Sequence, residues 1–266
     1  MAQGDPRQIA AFGRYFKEHL ADYSIIGGAA TLLHLEARAE GRHSKATKDL
    51  DIAVLDLTPQ GNRSGFLARF REYVEEMRYE AFVGHAGKVC AYRFVDPKNR
   101  SAPDKLEIAT RQLDGLKLRG SAQRLTAFDI SAIACDPIYI EHLKRHSEPM
   151  VLPGEGGTPV SVARVGSLIL MKALAYLNLI DLPGMKEHAH RHASDIVRLS
   201  GILRESDRIE VGGELYGPLE KLFAVKDRAF LPDRVVDLRG FGINAERVIE
   251  DIQRFIRLIP ADPASG

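Results

Sequence analysis

Three features are scarce in this 266-residue chain, and each scarcity excludes a class of protein. No apolar run approaches about 18 residues without a charge, because Lys172 interrupts the longest candidate, so the sequence predicts no membrane span. The N-terminal stretch has no apolar signal-peptide core. Only two cysteines are present, Cys90 and Cys135, which favours reduced thiols over a disulfide framework. Together these absences predict a cytoplasmic protein.

An excess of one charge sign is also lacking, since the formal net charge is +1. That balance argues against general affinity for nucleic acid. Residues 97–124 depart from it, with seven basic and three acidic side chains. This local excess could steer a triphosphate or an RNA backbone towards a site, and it is also typical of a solvated charged hairpin.

What the chain does contain is a glycine pair at a predicted strand-to-helix turn. Residues 23–26 have the pattern of a buried strand, and residues 29–39 have the pattern of a helix. Gly27 and Gly28 lie between them. Residues without side chains let a phosphate approach the backbone, while the N–H groups of the following helix point at it.

Two carboxylates follow about twenty residues later. In residues 49–54 apolar side chains alternate with Asp49, Asp51 and Ala53, so a strand here would carry both carboxylates on one face. Their Cα atoms would lie roughly 7 Å apart. Side chains that lean together at this spacing can hold two divalent cations for in-line phosphoryl transfer. The alternative is the wet face of an ordinary amphipathic strand.

The order of these motifs resembles the DNA polymerase beta-like nucleotidyltransferase superfamily. The long spacer and the residues Thr47-Lys48-Asp49-Leu50-Asp51 are most similar to its AbiEii/AbiGii branch, the toxins of type IV toxin–antitoxin systems. The resemblance implies a mixed α/β (α+β) nucleotidyltransferase fold, with a mixed sheet flanked by helices and followed by a mainly helical C-terminal domain. It also implies an NTP substrate, Mg²⁺ bound by Asp49 and Asp51, and a third carboxylate from a later strand.

The third carboxylate is predicted on a strand that follows an amphipathic helix beginning near Ser64. Strands are predicted at residues 89–95 and 105–109, and the loop between them contains two prolines. Glu107 is the predicted third metal ligand, although the superfamily more often has an aspartate here. Asp104 at the strand edge is the alternative ligand, and a plain surface role for Glu107 is the alternative function.

A second match lies in the C-terminal half. The sequence predicts a helix over residues 161–180, capped by Ser161, in which Lys172 is the cation within a nearly all-apolar stretch. Such a lysine must snorkel, pair with an anion or lose its charge. The resemblance implies that Lys172 and Asp195, on the next helix, belong to the active site. A surface lysine and a solvated or capping aspartate are the alternatives.

The helix that carries Asp195 also contains a histidine stripe. His188, His192 and Asp195 fall at positions i, i+4 and i+7, and His190 is nearby. This spacing could suit zinc, for which the pair His142 and His146 is the most obvious complement. A histidine-rich surface helix is the alternative. His188 or His192 could also contact nucleotide or carry a proton near neutral pH.

The Pro- and Gly-rich loop at residues 149–159 predicts the domain boundary. We expect a nucleotidyltransferase core over residues 1–148, a helical domain over 149–260 and a loose tail over 261–266.

The predicted activity is transfer of a nucleoside monophosphate from an NTP to an acceptor hydroxyl with Mg²⁺, most simply two ions. Asp49, Asp51 and Glu107 would bind the metals, and Gly27, Gly28, Thr47 and Lys48 would contact the phosphates. Lys172 would neutralise charge on the leaving group.

By the resemblance, the acceptor is RNA, such as a tRNA end, and the partner is an antitoxin protein. The alternatives are an enzyme that modifies an aminoglycoside-like small molecule, a catalytically silent nucleotide-binding protein, and a zinc-supported structural protein.

Overall fold

The computed structural model describes residues 6–38, 49–58, 61–62, 64–83, 89–113, 122–125, 130–152, 157–224 and 245–259. The chain forms two compact units. The first comprises residues 1–32 and 44–163, and the second comprises residues 33–43 and 164–266.

The first unit is a mixed sheet with helices. The helices that begin in it are α1 (Pro6–Tyr15), α2 (Gly27–Arg38), α3 (Phe66–Glu76) and α4 (Pro137–Arg145). Its strands are β1 (Tyr23–Ile26), β2 (Asp49–Val54), β3 (Leu57–Thr58), β4 (Gly61–Asn62), β5 (Glu80–Val83), β6 (Val89–Val95), β7 (Lys105–Arg111), β8 (Ala122–Leu125), β9 (Ile130–Cys135), β10 (Ser147–Val151) and β11 (Pro159–Ala163).

The main sheet has the strand order β10-β11-β1-β2-β7-β6-β5, and β9 pairs with both β7 and β8. Strands β3 and β4 form a separate hairpin. At the centre, β2 runs antiparallel to β1 and parallel to β7. The four residues of β1 are all buried, and the first residues of β2 and β7 alternate between partly exposed and buried. The centre of the sheet therefore has one apolar face and one face that carries polar side chains.

Aromatic side chains fill the core between this sheet and helices α1 and α3. Phe12 and Phe16 of α1 contact each other with ring centroids 4.4 Å apart, and Tyr23 of β1 stacks on Phe66 of α3 at 5.5 Å. All four side chains are fully buried. Fully burying side chains of this size contributes about 1.5–3 kcal/mol each. This core fixes β1, and with it the turn that follows at Gly27.

The second unit is mainly helical. It contains the last six residues of α2, from Leu33, followed by α5 (Val165–Ile180), α6 (Lys186–Ser200), α7 (Gly213–Ala224) and α8 (Ala245–Phe255). Its two short strands, β12 (Ile209–Val211) and β13 (Ile256–Leu258), pair in parallel. The predicted fold class, a mixed α/β sheet with flanking helices, is confirmed. None of the helices in the described ranges has both the length and the apolar character needed to cross a membrane.

The predicted helix start at Ser161 is wrong. Ser161 lies in β11 and pairs with Pro149 of β10, and α5 begins at Val165 with Arg164 as its N-cap. Two valines in residues 159–163 favour an extended strand, and a single residue separates that strand from the helix. Strands β10 and β11 both belong to the first compact unit, and the second unit resumes at Arg164.

Candidate active site

The glycine pair lies at the strand-to-helix turn that the sequence predicts, and α2 begins at Gly27 itself. Gly27 has φ +66°, a conformation that side chains rarely adopt. A Cβ atom at this position would overlap Oδ2 of Asp51 and lie 3.0 Å from its Cγ. Glycine therefore lets the Asp51 carboxylate lie against the first turn of α2, whose N-terminus favours negative charge. Gly28 lies in the same turn and is partly exposed.

The three predicted metal-binding carboxylates lie on neighbouring strands. In the parallel pairing of β2 and β7, Asp51 is the register partner of Glu107, and Asp49 is the partner of Lys105. Leu50 lies between the two aspartates and is buried, whereas the aspartates are partly exposed. Since alternate residues of a strand share a face, Asp49, Asp51 and Glu107 share one face of the sheet.

Asp104, the alternative third ligand, lies one residue before this register begins. Its side chain accepts a hydrogen bond from Gln8 Nε2 at 3.3 Å, and the residue is exposed. The structure thus places Glu107, and not Asp104, beside Asp51.

Two cations that the sequence analysis did not assign to the site contact these carboxylates. Lys105 Nζ donates to Asp49 Oδ2 at 2.8 Å and lies 2.8 Å from Glu107 Oε1. Arg93 Nε, on β6, lies 2.7 Å from the same Glu107 oxygen. The contact between Arg93 and Glu107 is an ion pair and not a hydrogen bond, because Arg93 Nε has no hydrogen-bond partner.

Burial lowers the pKa of Lys105, but its hydrogen bonds to Asp49 and Glu107 outweigh burial, and the net pKa is raised. Lys105 is therefore cationic at neutral pH. The sequence signal for its role is its position two residues before Glu107, on the same face of β7. Its contact with Asp49 follows only once the register of β2 and β7 is known.

The residues fit a hard divalent cation by their chemistry. Carboxylate oxygens are the ligands that Mg²⁺ takes in proteins, and the Gly27 turn leaves room for the Asp51 carboxylate. Within the described part of the chain, no three His, Cys, Asp or Glu side chains already adopt a metal-binding arrangement. Between Asp49 and Glu107, the Lys105 ammonium supplies the positive charge that a metal would supply.

Lys172 and Asp195 form an ion pair within the second unit. Lys172 Nζ, on α5, donates to Asp195 Oδ2 on α6 at 2.6 Å, and the lysine side chain is only 6% exposed. Arg198 lies 3.8 Å from the other carboxylate oxygen. Of the three fates open to a lysine in an apolar helix, Lys172 pairs with an anion.

The histidine stripe on α6 lies beside this pair. Burial, together with the charge on Lys172, lowers the pKa of His192 to about 4, so its ring is neutral at pH 7. His142 and His146 lie on α4 of the first unit, with ring centroids 4.5 Å apart. These rings are not part of any three-residue metal cluster among the residues described.

Two further predicted residues, Thr47 and Lys48, lie outside the described residues. So does part of the basic segment predicted to steer a phosphate, residues 114–121. Within the described part of that segment, Lys98 pairs with Glu80 and Lys105 pairs with the carboxylates.

Comparison of the chain with protein-family models and with curated proteins gave no match. Among solved structures, the chain is similar to an antigenic nucleotidyltransferase-like protein from Paracoccidioides brasiliensis, at 12% identity and a TM-score of 0.48, over 86% of this chain and 92% of that chain. It is also similar to the antibiotic-resistance factor ANT(2'')-Ia, at 14% identity and a TM-score of 0.34, over 81% and 95%. A third similar structure is CdnC of E. coli MS115-1, solved with ATP, at 11% identity and a TM-score of 0.23, over 94% of this chain and 88% of that chain. These distant likenesses do not assign the chain to a family.

Proposed function

We propose that this chain is a Mg²⁺-dependent nucleotidyltransferase, which transfers a nucleoside monophosphate from an NTP to an acceptor hydroxyl. One observation carries the proposal: the parallel register of β2 and β7 sets Asp51 beside Glu107, with Asp49 on the same face and the Gly27 turn against Asp51. Oxygen ligands next to a partly exposed glycine pair at a helix N-terminus suit a metal-bound triphosphate.

In this reaction the acceptor oxygen forms a bond to the α-phosphorus, and the bond from that phosphorus to the bridging oxygen of pyrophosphate breaks. The hydroxyl proton passes to a carboxylate of the site, and pyrophosphate leaves with the electron pair. When bound, Mg²⁺ supplies charge neutralisation along the triphosphate. Asp49, Asp51 and Glu107 would hold it, and the partly exposed pair Gly27 and Gly28 would present the backbone at the start of α2 to the phosphates.

From the family resemblance we also propose roles for Thr47, Lys48, Lys172 and Asp195. Thr47 and Lys48 contact phosphate, and Lys172 neutralises charge that develops on the leaving pyrophosphate. Asp195 orients Lys172 through their hydrogen bond.

The test is transfer of label from each of the four α-labelled NTPs in the presence of Mg²⁺. We expect Asp51→Asn to lower the transfer rate by at least about 10²-fold, because it removes a charged ligand from the metal ion that neutralises the triphosphate. Asp104→Asn is the matched control, since this exposed carboxylate lies just outside the register of β2 and β7. Equal rates for the wild type and Asp51→Asn would refute the proposal.

For the acceptor we propose RNA, in particular a tRNA end, with growth inhibition and a neutralising antitoxin as the biological setting. The support for this is the resemblance of residues 47–51 to the AbiEii branch. The labelled reaction is therefore run with total tRNA and, separately, with an aminoglycoside panel. Label in tRNA, together with toxicity on expression that Asp51→Asn abolishes, supports the RNA acceptor. Label in the aminoglycosides, together with drug resistance, supports the small-molecule alternative.

A further inference from the structure

The Lys105 ammonium occupies an unusual position for a strand lysine. It bridges Asp49 Oδ2 and Glu107 Oε1, which belong to two adjacent parallel strands, at 2.8 Å each. Its side chain is 22% exposed, so the contacts are partly shielded from water. These are two of the three carboxylates to which the proposed function assigns the metal.

We propose that Lys105 is an internal counter-ion of the carboxylate site, which competes with the divalent cation for Asp49 and Glu107 and thereby sets the affinity of the site for metal. This inference rests on the proposed function, because that function supplies the reason for a metal to bind there. Lys105 acts here as a positioning residue, through the carboxylates and not on the reacting atoms.

The electrostatic balance of the site supports this role. Three carboxylates on one face of adjacent strands repel one another, and the Lys105 and Arg93 cations offset part of that repulsion by contacting Asp49 and Glu107. The Lys105 contacts hold the carboxylates of Asp49 and Glu107 against one ammonium group without a metal.

Lys105 and the metal ion compete because they need the same carboxylate oxygens. Mg²⁺ binds carboxylate oxygens at about 2.0–2.1 Å in octahedral geometry. An ammonium already bound to two of those oxygens must move before a metal can use them. The flexible four-carbon stem of lysine permits that movement. Arg93 remains on Glu107 in either state, because it approaches from β6 on the other side of β7.

The first experiment measures Mn²⁺ binding to the full chain from the electron paramagnetic resonance of free Mn²⁺. Lys105→Gln should lower the dissociation constant about tenfold, because it removes one unit of positive charge beside the cation. Lys105→Arg, which retains the charge, should bind within about threefold of the wild type. Lys98→Gln is the matched control, since it removes a lysine from an exposed ion pair with Glu80.

The second experiment uses the unaltered chain, so it does not depend on a variant that folds. An amine-reactive ester labels lysines with and without Mn²⁺, and each site is quantified by peptide mass spectrometry. We expect the labelling rate of Lys105 to rise severalfold with Mn²⁺, as the ammonium leaves the carboxylates, while Lys98 is unchanged.

The outcomes separate the two proposals. If the wild type binds Mn²⁺ and Asp51→Asn does not, the carboxylate site stands. Unchanged or weaker binding by Lys105→Gln, or constant labelling of Lys105, then overturns the counter-ion role alone. If neither the wild type nor Lys105→Gln binds Mn²⁺, both the counter-ion role and the metal site of the proposed function are overturned.

Discussion

Gly27 is the residue whose backbone conformation the candidate site depends on most directly. Its φ of +66° costs a non-glycine residue about 1–2 kcal/mol, and a methyl group there would also overlap the Asp51 carboxylate. We expect Gly27→Ala to turn this carboxylate away and to abolish Mn²⁺ binding. Urea unfolding and Mn²⁺ titration of the same preparations measure the two effects.

Gly65 is the control that distinguishes the effect of backbone strain from the effect of the contact with Asp51. It has φ +78°, but a Cβ atom there would meet nothing within 4 Å. Gly65→Ala should therefore lose about 1–2 kcal/mol of unfolding free energy and bind Mn²⁺ like the wild type. Equal Mn²⁺ affinities for Gly27→Ala and Gly65→Ala would mean that the contact between Gly27 and Asp51 has no role in the site.

His142 gives the first unit a predictable response to acid. Burial, with smaller contributions from His146 and Arg145, lowers its pKa to about 4 from the usual 6.5. The unfolded chain therefore takes up this proton at higher pH than the folded chain, and stability falls as the pH falls from about 6.5 to about 4. The difference amounts to about 2 kcal/mol between pH 8 and pH 5.

We expect His142→Gln to lose that part of the acid sensitivity. Urea unfolding of the wild type and of His142→Gln at pH 8 and pH 5 gives the loss of unfolding free energy between the two pH values. An equal loss in both proteins would contradict the prediction.

At the scale of elements, helices α5 and α6 are joined by one nearly buried ion pair. Lys172→Met leaves the Asp195 carboxylate partly buried, with only Arg198 at 3.8 Å, and should cost about 2 kcal/mol. The double variant Lys172→Met/Asp195→Leu should recover most of that loss, because no charge is then left uncompensated.

The same double variant tests the proposed catalytic role of the pair. If Lys172 neutralises the leaving group, nucleotidyl transfer stays low in the double variant although its unfolding free energy is recovered. Transfer that recovers together with stability would leave the pair with a structural role alone.

The elements that carry the site were largely predictable, because their signals are local. Alternation over a few residues was enough for β2, and the glycine pair marked the end of β1. The start of α5 was not predictable from the sequence. A buried strand and a buried helix both have apolar sequences, and Arg164 alone separates the strand β11 from the helix α5. Element type was thus clearer from the sequence than element ends.

The charge partners within the site could not be predicted for a different reason. Lys105 and Asp49 are 56 positions apart in the chain, and their contact depends on the register of two parallel strands. A shift of one residue would place Lys105 on the opposite face. Alternation along the strand indicates that Lys105 and Glu107 share a face. Only the three-dimensional register shows that Lys105 contacts Asp49 and that Glu107 lies beside Asp51.

At the scale of the whole molecule, the second unit is not continuous in the chain. Its first segment is the end of α2, and Arg38 from this segment pairs with Asp207, whose side chain is 1% exposed. Asp207 also accepts a hydrogen bond from the Arg204 N–H at 2.8 Å. A chain that starts at Arg164 would therefore lack the counter-ion of a buried carboxylate.

We expect Arg38→Met to cost about 3 kcal/mol in unfolding free energy, because it leaves Asp207 buried without its guanidinium partner. Arg71→Met is the matched control, since it removes an exposed ion pair with Glu75 on α3 and should cost less than about 0.5 kcal/mol.

A fragment of residues 164–266 also lacks Arg38, so we expect limited proteolysis to degrade it under conditions in which the full chain is stable.

The discontinuous second unit also has a consequence for synthesis on the ribosome. Arg38 and Asp207 are 169 positions apart, and translation adds about 5–20 residues per second. The end of α2 therefore waits roughly 10–30 s for its partner after it has been made. During that interval its leucines, which are buried in the finished protein, are open to chaperones and to neighbouring nascent chains.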